Sequence, residues 1–183
     1  MVITESLPRF VDDPYDAQAC ADLATTYKAH GYYAGAIGLY IRATEHTQDL
    51  DLKSRCFFRA GQLLARMGHR ETTALWMIHE SLALKPENVE ALVEVAQIHA
   101  SKAVNDENNR DEWLQSYLWA TTAQQASSSD SDRFGAQMAR ARAAWNLDRD
   151  DEARTLVQDM YTQSPPSWQW SNELIQLVRE IGL

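Results

Sequence analysis

The chain has 183 residues, of which 45% are hydrophobic and 23% charged, an ordinary globular composition that argues against global disorder. Its 25 alanines and 18 leucines far outnumber its 8 valines and 7 isoleucines, a balance that predicts an all-α fold. The formal net charge is −9 and both halves are acidic, so we expect no binding to nucleic acid or to anionic lipid. No apolar run reaches about 18 residues and the N-terminus lacks a secretory-signal pattern. We therefore expect a cytoplasmic protein without membrane association, whose two cysteines are reduced and buried.

The clearest sequence pattern is a helical hairpin within residues 15–49. Small and aromatic residues recur there at fixed spacings: Leu23, Ala24, Tyr27, Gly31, Tyr33, Ala36, Tyr40 and Ala43. Small side chains at Ala24 and Ala36 would let two antiparallel helices approach closely, while Tyr27 and Tyr40 would fill the adjacent space. Gly31 would supply the left-handed turn that ends the first helix.

Three further copies of this pattern follow, within residues 50–86, 87–127 and 130–166. The third copy carries a polar insertion at 105–111, which we expect to form an exposed loop. Residues 127–132 have the composition of a turn and a helix N-cap. In the fourth copy Asp148 stands where glycine is usual and could instead cap the following helix. Residues 1–14 are predicted to be an N-terminal arm, and residues 167–183 a helix that caps the last hairpin.

These matches in series resemble the tetratricopeptide-repeat (TPR) family over roughly residues 15–181. The resemblance implies a helical-hairpin solenoid, a TPR-like superhelix of about four repeats, whose inner helices line a concave groove for a partner. Other helical-pair repeats and a plain helical bundle share the same periodicity. More weakly, residues 83–100 resemble repeat segments attached to bacterial and phage glycosyltransferases, although the chain contains no nucleotide-sugar domain.

Sequence motifs for catalysis and cofactor binding are absent. The chain has no glycine-rich phosphate loop, no GxSxG nucleophile motif and no pair of histidines at the spacing of a helical zinc site. We therefore expect no catalytic residue, no metal site and no cofactor, and predict that the protein is not an enzyme.

Matching the repeat positions predicts which side chains line the groove. The partner-binding residues predicted in this way are Lys28, Arg55, Phe58, Arg59, Gln62, Arg66, Gln97, Arg142 and Trp145. Arg55, Arg59 and Arg66 lie on one face of a single helix and could grip carboxylates, with Phe58 or Trp145 as apolar anchors. We therefore expect an acidic or carboxylate-bearing partner segment. The alternative is that the arginines pair with acidic side chains of neighbouring helices.

The sequence leaves three functional interpretations. The first is a non-catalytic protein–protein interaction scaffold. The second is an accessory subunit or detached module of a glycosyltransferase system, and the third is a structural component of a larger assembly. A familiar TPR clamp for C-terminal carboxylates is not expected, because Ala21 and Thr25 occupy its first-repeat positions. Trp168 and Trp170 could pack the last helix onto the fourth repeat or support a homo-oligomer.

Overall fold

The computed structural model of the chain describes residues 3–68, 70–105, 109–163 and 172–182. These residues form α-helices and turns and contain no β-strand. The helices are α1 (Ile3–Asp12), α2 (Ala17–Ala29), α3 (Tyr33–His46), α4 (Leu50–Arg66), α5 (Glu71–Leu84), α6 (Val89–Asn105), α7 (Arg110–Ala126), α8 (Asp130–Asn146), α9 (Asp150–Gln163) and α10 (Asn172–Ile181). The predicted all-α class and the helical-hairpin solenoid are confirmed.

The chain divides into two compact units, residues 1–86 and 87–183. The N-terminal unit contains two antiparallel hairpins, α2–α3 and α4–α5, and the C-terminal unit contains the hairpins α6–α7 and α8–α9. Within each unit the second helix of the first hairpin also packs against the first helix of the next.

The N-terminal arm is helical, which the repeat pattern does not predict. Helix α1 packs against α2, and the guanidinium of Arg42 lies 6.0 Å from the centre of the Phe10 ring. Asp16 joins the two helices, because its carboxylate accepts a hydrogen bond from the backbone N–H of Ala19 at 3.0 Å and pairs with Arg9 at 2.7 Å. This carboxylate therefore caps α2 while it anchors α1.

The two helices of the first hairpin pack together as the spacing of their small residues predicts. Ala24 and Ala36 are fully buried, Tyr40 is nearly so, and Gly31 has the left-handed φ of 79° that ends α2. Tyr27 remains 38% exposed, and its ring lies against Gly35, where a Cβ would come within 2.7 Å of the ring. Tyr27 thus covers the edge of the hairpin and does not fill its centre.

The second hairpin depends on a close approach of α4 and α5. A Cβ on Gly61 would lie 2.6 Å from Cγ1 of Ile78 and 3.0 Å from the carbonyl oxygen of Ala74. Nearby, the buried hydroxyls of Ser54 and Ser81 hydrogen-bond to each other at 2.9 Å. Glycine at position 61 therefore sets the distance between the helices.

In the C-terminal unit the predicted insertion is largely absorbed by longer helices. Helix α6 continues through Asn105 and α7 begins at Arg110, so the expected loop over 105–111 was wrong at both ends; its middle lies outside the described residues. The side chain of Asn109 caps α7 by accepting a hydrogen bond from the N–H of Glu112 at 3.2 Å. Ser129 caps α8 in the same way, as the composition of residues 127–132 predicts.

Asp148 does not cap α9. It adopts a left-handed backbone conformation, with φ of 61°, and so replaces the usual glycine directly. Aspartate enters this region more readily than most residues, because its short side chain can hydrogen-bond locally. Here Arg110 pairs with the Asp148 carboxylate at 2.9 Å and donates to the carbonyl oxygen of Leu147 at 3.2 Å. The start of α7 is thereby attached to the turn between α8 and α9.

A half-buried polar cluster joins α7, α8 and α9. Glu152 accepts hydrogen bonds from the hydroxyl of Tyr117 at 2.7 Å and from the guanidinium of Arg140. Arg140 also donates to Gln124 at 2.9 Å. Burial alone would raise the pKa of the Glu152 carboxyl, but the hydrogen bonds from Tyr117 and Arg140 outweigh it, and the pKa lies below its ordinary value of 4.5.

Helix α10 covers an apolar face of the fourth hairpin. Leu174, Leu177 and Ile181 are buried in one cluster with residues of α8 and α9, including Val157 and Met160. The predicted packing of Trp168 and Trp170 falls outside the described residues.

We expect Gly61→Ala to destabilise the protein, because the added methyl group would collide with Ile78 and with the backbone of α5. Overpacking of this kind costs about 1–3 kcal/mol. The matched control is Gly38→Ala in α3, where a Cβ would meet no atom within 4 Å and the change should stabilise by up to about 1 kcal/mol. Chemical denaturation of both variants checks this, and equal effects of the two changes would contradict the close approach.

We expect Glu152→Gln to lower the unfolding free energy by about 2 kcal/mol at pH 7, since a hydrogen-bonded charge is lost. The folded-state pKa of Glu152 lies below its unfolded value, so the ionised form stabilises the fold above about pH 4.5 and this contribution disappears as the pH falls through the folded pKa. The difference between wild type and variant, measured by urea denaturation, should therefore shrink from pH 7 to pH 3. A constant difference would contradict this.

Candidate partner-binding clefts

Helices α2 and α4 enclose a cleft of about 310 Å³ in the N-terminal unit, which we call the basic cleft. It is lined by Gln18, Ala21, Asp22, Thr25 and Lys28 of α2, Tyr40 of α3, and Leu52, Arg55, Cys56 and Arg59 of α4. Three of the predicted partner-binding residues, Lys28, Arg55 and Arg59, therefore come together at one site.

The base of the basic cleft is uncharged, and its polar groups are hydrogen-bonded to each other. The hydroxyl groups of Tyr40 and Thr25 lie 3.0 Å apart and hydrogen-bond, and Thr25 also donates to the carbonyl oxygen of Ala21 at 3.0 Å. Burial raises the pKa of the Tyr40 hydroxyl, and it raises the pKa of the Cys56 thiol to about 12. Both groups therefore remain protonated at neutral pH, and the thiol is a poor nucleophile.

The walls of the basic cleft are predominantly cationic. The described residues of its lining include the cations Lys28, Arg55 and Arg59 and one carboxylate, that of Asp22. Asp22 accepts a hydrogen bond from the Gln18 amide at 2.8 Å. Arg55 is exposed, and within the described part of the chain its guanidinium makes no hydrogen bond or ion pair. Its charge nonetheless helps to lower the pKa of the Asp51 carboxyl one turn earlier on α4, after the larger effect of Lys85.

Arg59 is held by contacts along its own helix. It donates a hydrogen bond to the Gln62 side chain at 3.2 Å, and its guanidinium lies 5.1 Å from the centre of the Phe58 ring. Phe58 is only 3% exposed, so the expected role of this residue as an apolar anchor on the groove surface was wrong. The ring instead packs in the core beneath Arg59. Gln62 and the exposed Arg66 lie on α4 outside the lining of the basic cleft.

The remaining predicted residues belong to the C-terminal unit. Gln97 of α6 and Arg142 of α8 line a common cavity. Nε of Arg142 lies 3.8 Å from a carboxylate oxygen of Glu180, a contact too long for a hydrogen bond. This ion pair fits the alternative that groove arginines pair with neighbouring helices. Trp145 is half-buried against the apolar cluster beneath α10.

Two features of this cavity were not identified from the sequence. Ser116 of α7 is buried in its wall, and no hydrogen-bond partner of its hydroxyl is found among the described residues. Gly135 of α8 leaves open space, since a Cβ there would meet no atom within 4 Å. The repeat pattern treats both positions as ordinary packing sites, so no sequence signal distinguishes them.

Within the described ranges, no three histidine, cysteine or acidic side chains gather in a way that could hold a metal ion. In the same part of the chain, every helix is too short or too polar to span a lipid bilayer.

Comparison with known proteins gives structural neighbours only. No family model matches the chain, and no curated protein matches it in sequence. Among solved structures it is similar to PilF of Pseudomonas aeruginosa, with a TM-score of 0.75 and 16% identity over 97% of this chain and 72% of that one. It is also similar to MamA, with a TM-score of 0.70 and 12% identity over 98% of this chain and 88% of that one. Both neighbours are TPR proteins, and neither bears on the resemblance to glycosyltransferase repeats. The chain has a TPR-like fold.

Proposed function

We propose that the protein is a non-catalytic interaction scaffold and that its basic cleft binds a carboxylate-bearing segment of a partner protein. The observation that carries this proposal is the charge of the cleft. Among the described residues that line it, three side chains are cationic and one is acidic, in a chain whose net charge is −9. An acidic segment is therefore attracted locally to the cleft, although the net charge of the chain is negative.

The guanidinium of Arg55 is the principal group for carboxylate binding. It is exposed at the wall of the cleft, and arginine can hold a carboxylate through two parallel hydrogen bonds. Lys28 and Arg59 add positive charge on both sides of the cleft. The Asp22 carboxylate, in the same lining, can accept a hydrogen bond from a backbone N–H of the bound segment.

Binding at the basic cleft would require little rearrangement. The pair formed by Thr25 and Tyr40 fixes its base, and Arg59 is already oriented by Gln62 and Phe58. A preformed site loses less conformational entropy when a ligand binds, so a small number of contacts can give useful affinity.

We expect Arg55→Glu to weaken the binding of an acidic peptide about ten-fold, or about 1.4 kcal/mol, because a cation of the cleft becomes an anion. The probe is a fluorescein-labelled octapeptide of alternating glutamate and glycine, measured by fluorescence anisotropy at low salt. The matched control is Arg66→Glu, which makes the same charge change on the same helix outside the cleft and should have a much smaller effect.

A second probe with glutamine in place of every glutamate should bind far more weakly than the acidic one. Raising the salt concentration should also weaken the acidic probe, because ions screen exposed charges beyond about 10 Å at 0.1 M. Equal losses in Arg55→Glu and Arg66→Glu would mean that only net charge matters, and would contradict a specific site.

A further inference from the structure

The charges of the N-terminal unit are distributed unevenly between the two ends of its hairpins. Because the hairpins are antiparallel, the connections α2–α3 and α4–α5 lie at one end of the unit, and the connections α1–α2 and α3–α4 lie at the other. With the adjoining helical turns, the first end comprises residues 26–36 and 63–74, which we call the cationic edge. The second comprises residues 9–20 and 43–53, which we call the acidic edge.

The cationic edge has an excess of positive charge. Its charged residues are the basic Lys28, Arg66 and Arg70 and the acidic Glu71. Arg66 and Arg70 are exposed, and in the described part of the chain neither guanidinium makes a hydrogen bond or an ion pair. Both arginines can therefore bind an external carboxylate without breaking a contact within the chain.

The cationic edge also exposes aromatic and apolar side chains. Tyr32 is 67% exposed, and Tyr27, Tyr33 and Met67 are exposed as well. The rings of Tyr27 and Tyr32 meet edge to face, with their centres 6.1 Å apart. No partner of the three tyrosine hydroxyls is found among the described residues. Exposed apolar surface bordered by polar groups is typical of protein–protein interfaces, where tyrosine is enriched.

The acidic edge has the opposite charge, with six acidic residues and two basic ones. Two of its carboxylates are in ion pairs, which are Asp16–Arg9 at 2.7 Å and Asp51–Lys85 at 2.8 Å. Two more accept hydrogen bonds from backbone N–H groups, which are Asp13 and Asp49. The remaining two, Asp12 and Glu45, are exposed, and their carboxylates have no partner within the described ranges. This edge therefore offers two carboxylates to an external cation.

The acidic edge matches the cationic edge in its apolar surface and in its spacing. Val11, Tyr15 and Leu50 are each more than half exposed, and the ring of Tyr15 lies 4.8 Å from that of His46. Helices α2, α3 and α4 contribute one end to each edge, so the distance between neighbouring helices is similar at both. The two edges are thus complementary in charge and alike in apolar content.

We propose that the protein self-associates head to tail, with the cationic edge of one copy bound to the acidic edge of a second copy. Arg66 and Arg70 pair with the carboxylates of Asp12 and Glu45 in the second copy, and the exposed tyrosines and Leu50 lose contact with water. Such an interface uses different surfaces of the two copies, so it can extend into open chains or close into rings. It is independent of the proposed function, because Arg55 lies outside both edges.

Sedimentation velocity of the full chain over a wide range of protein concentration tests this proposal. At low salt the average mass of the wild type should rise with concentration above that of the monomer, and high salt should reduce the rise. Arg66→Glu combined with Arg70→Glu, and Asp12→Lys combined with Glu45→Lys, should each remain monomeric, because both edges then carry the same charge. Circular dichroism checks that each variant is folded.

An equimolar mixture of these two double variants should associate again. The acidic edge of the first variant is intact and can bind the intact cationic edge of the second. The matched control combines Arg154→Glu with Arg179→Glu in the C-terminal unit. It makes the same change of charge at exposed arginines outside both edges, and it should leave association unchanged.

Equal loss of association in this control would mean that only net charge matters, and would overturn the proposal. A wild type that stays monomeric at every concentration would also overturn it, as would a mixture of folded variants that fails to associate. Association that is lost in Arg55→Glu but kept in the variant of Arg66 and Arg70 would mean that the acidic edge enters the basic cleft. That result would likewise contradict a role for the cationic edge.

Discussion

Close contact between antiparallel helices, made possible by residues with little or no side chain, is the constraint on which this structure depends. Ala24 and Ala36 in the first hairpin are fully buried, and Gly61 in the second faces Ile78 with no room for a methyl group. Dispersion and apolar burial increase as helices approach, so these small residues allow dense packing within each pair. Each hairpin can then hold surface side chains in defined positions.

The two units use the same type of hairpin to create different surfaces. In residues 1–86 the side chains between α2 and α4 are long and cationic, above a neutral base formed by Tyr40 and Cys56. In residues 87–183, α6 and α8 pack directly against each other, and small side chains leave an apolar depression. Helix packing therefore fixes where a cleft can form, while the residues at solvent-facing positions decide its chemistry.

Much of the fold could be predicted because the repeat pattern encodes local geometry. The left-handed turn at Gly31, the buried Tyr40 and the cap at Ser129 all follow from spacing and residue type. Helix α1 was missed, because no repeat pattern covers its residues. Asp148 was misinterpreted as a cap, although aspartate can also take the left-handed conformation that the turn requires.

The candidate sites were only partly predictable for a different physical reason. Helical periodicity gives the direction of a side chain but not its depth. The pattern correctly grouped Arg55 with Arg59 yet put Phe58 on the surface, whereas its ring is buried beneath a guanidinium. The cavity lined by Ser116 and Gly135 depends on how three helices meet, and periodicity within one helix contains no information about such a gap.

The central claim is that cations held between α2 and α4 make a specific site in an otherwise acidic protein. Nuclear magnetic resonance titration of the ¹⁵N-labelled full chain with the glutamate–glycine peptide tests it most directly. The account predicts that the largest amide shifts cluster at residues 18–28 and 52–59, the segments of α2 and α4 that line the basic cleft. Shifts spread evenly over the surface, or confined to residues 87–183, would contradict it.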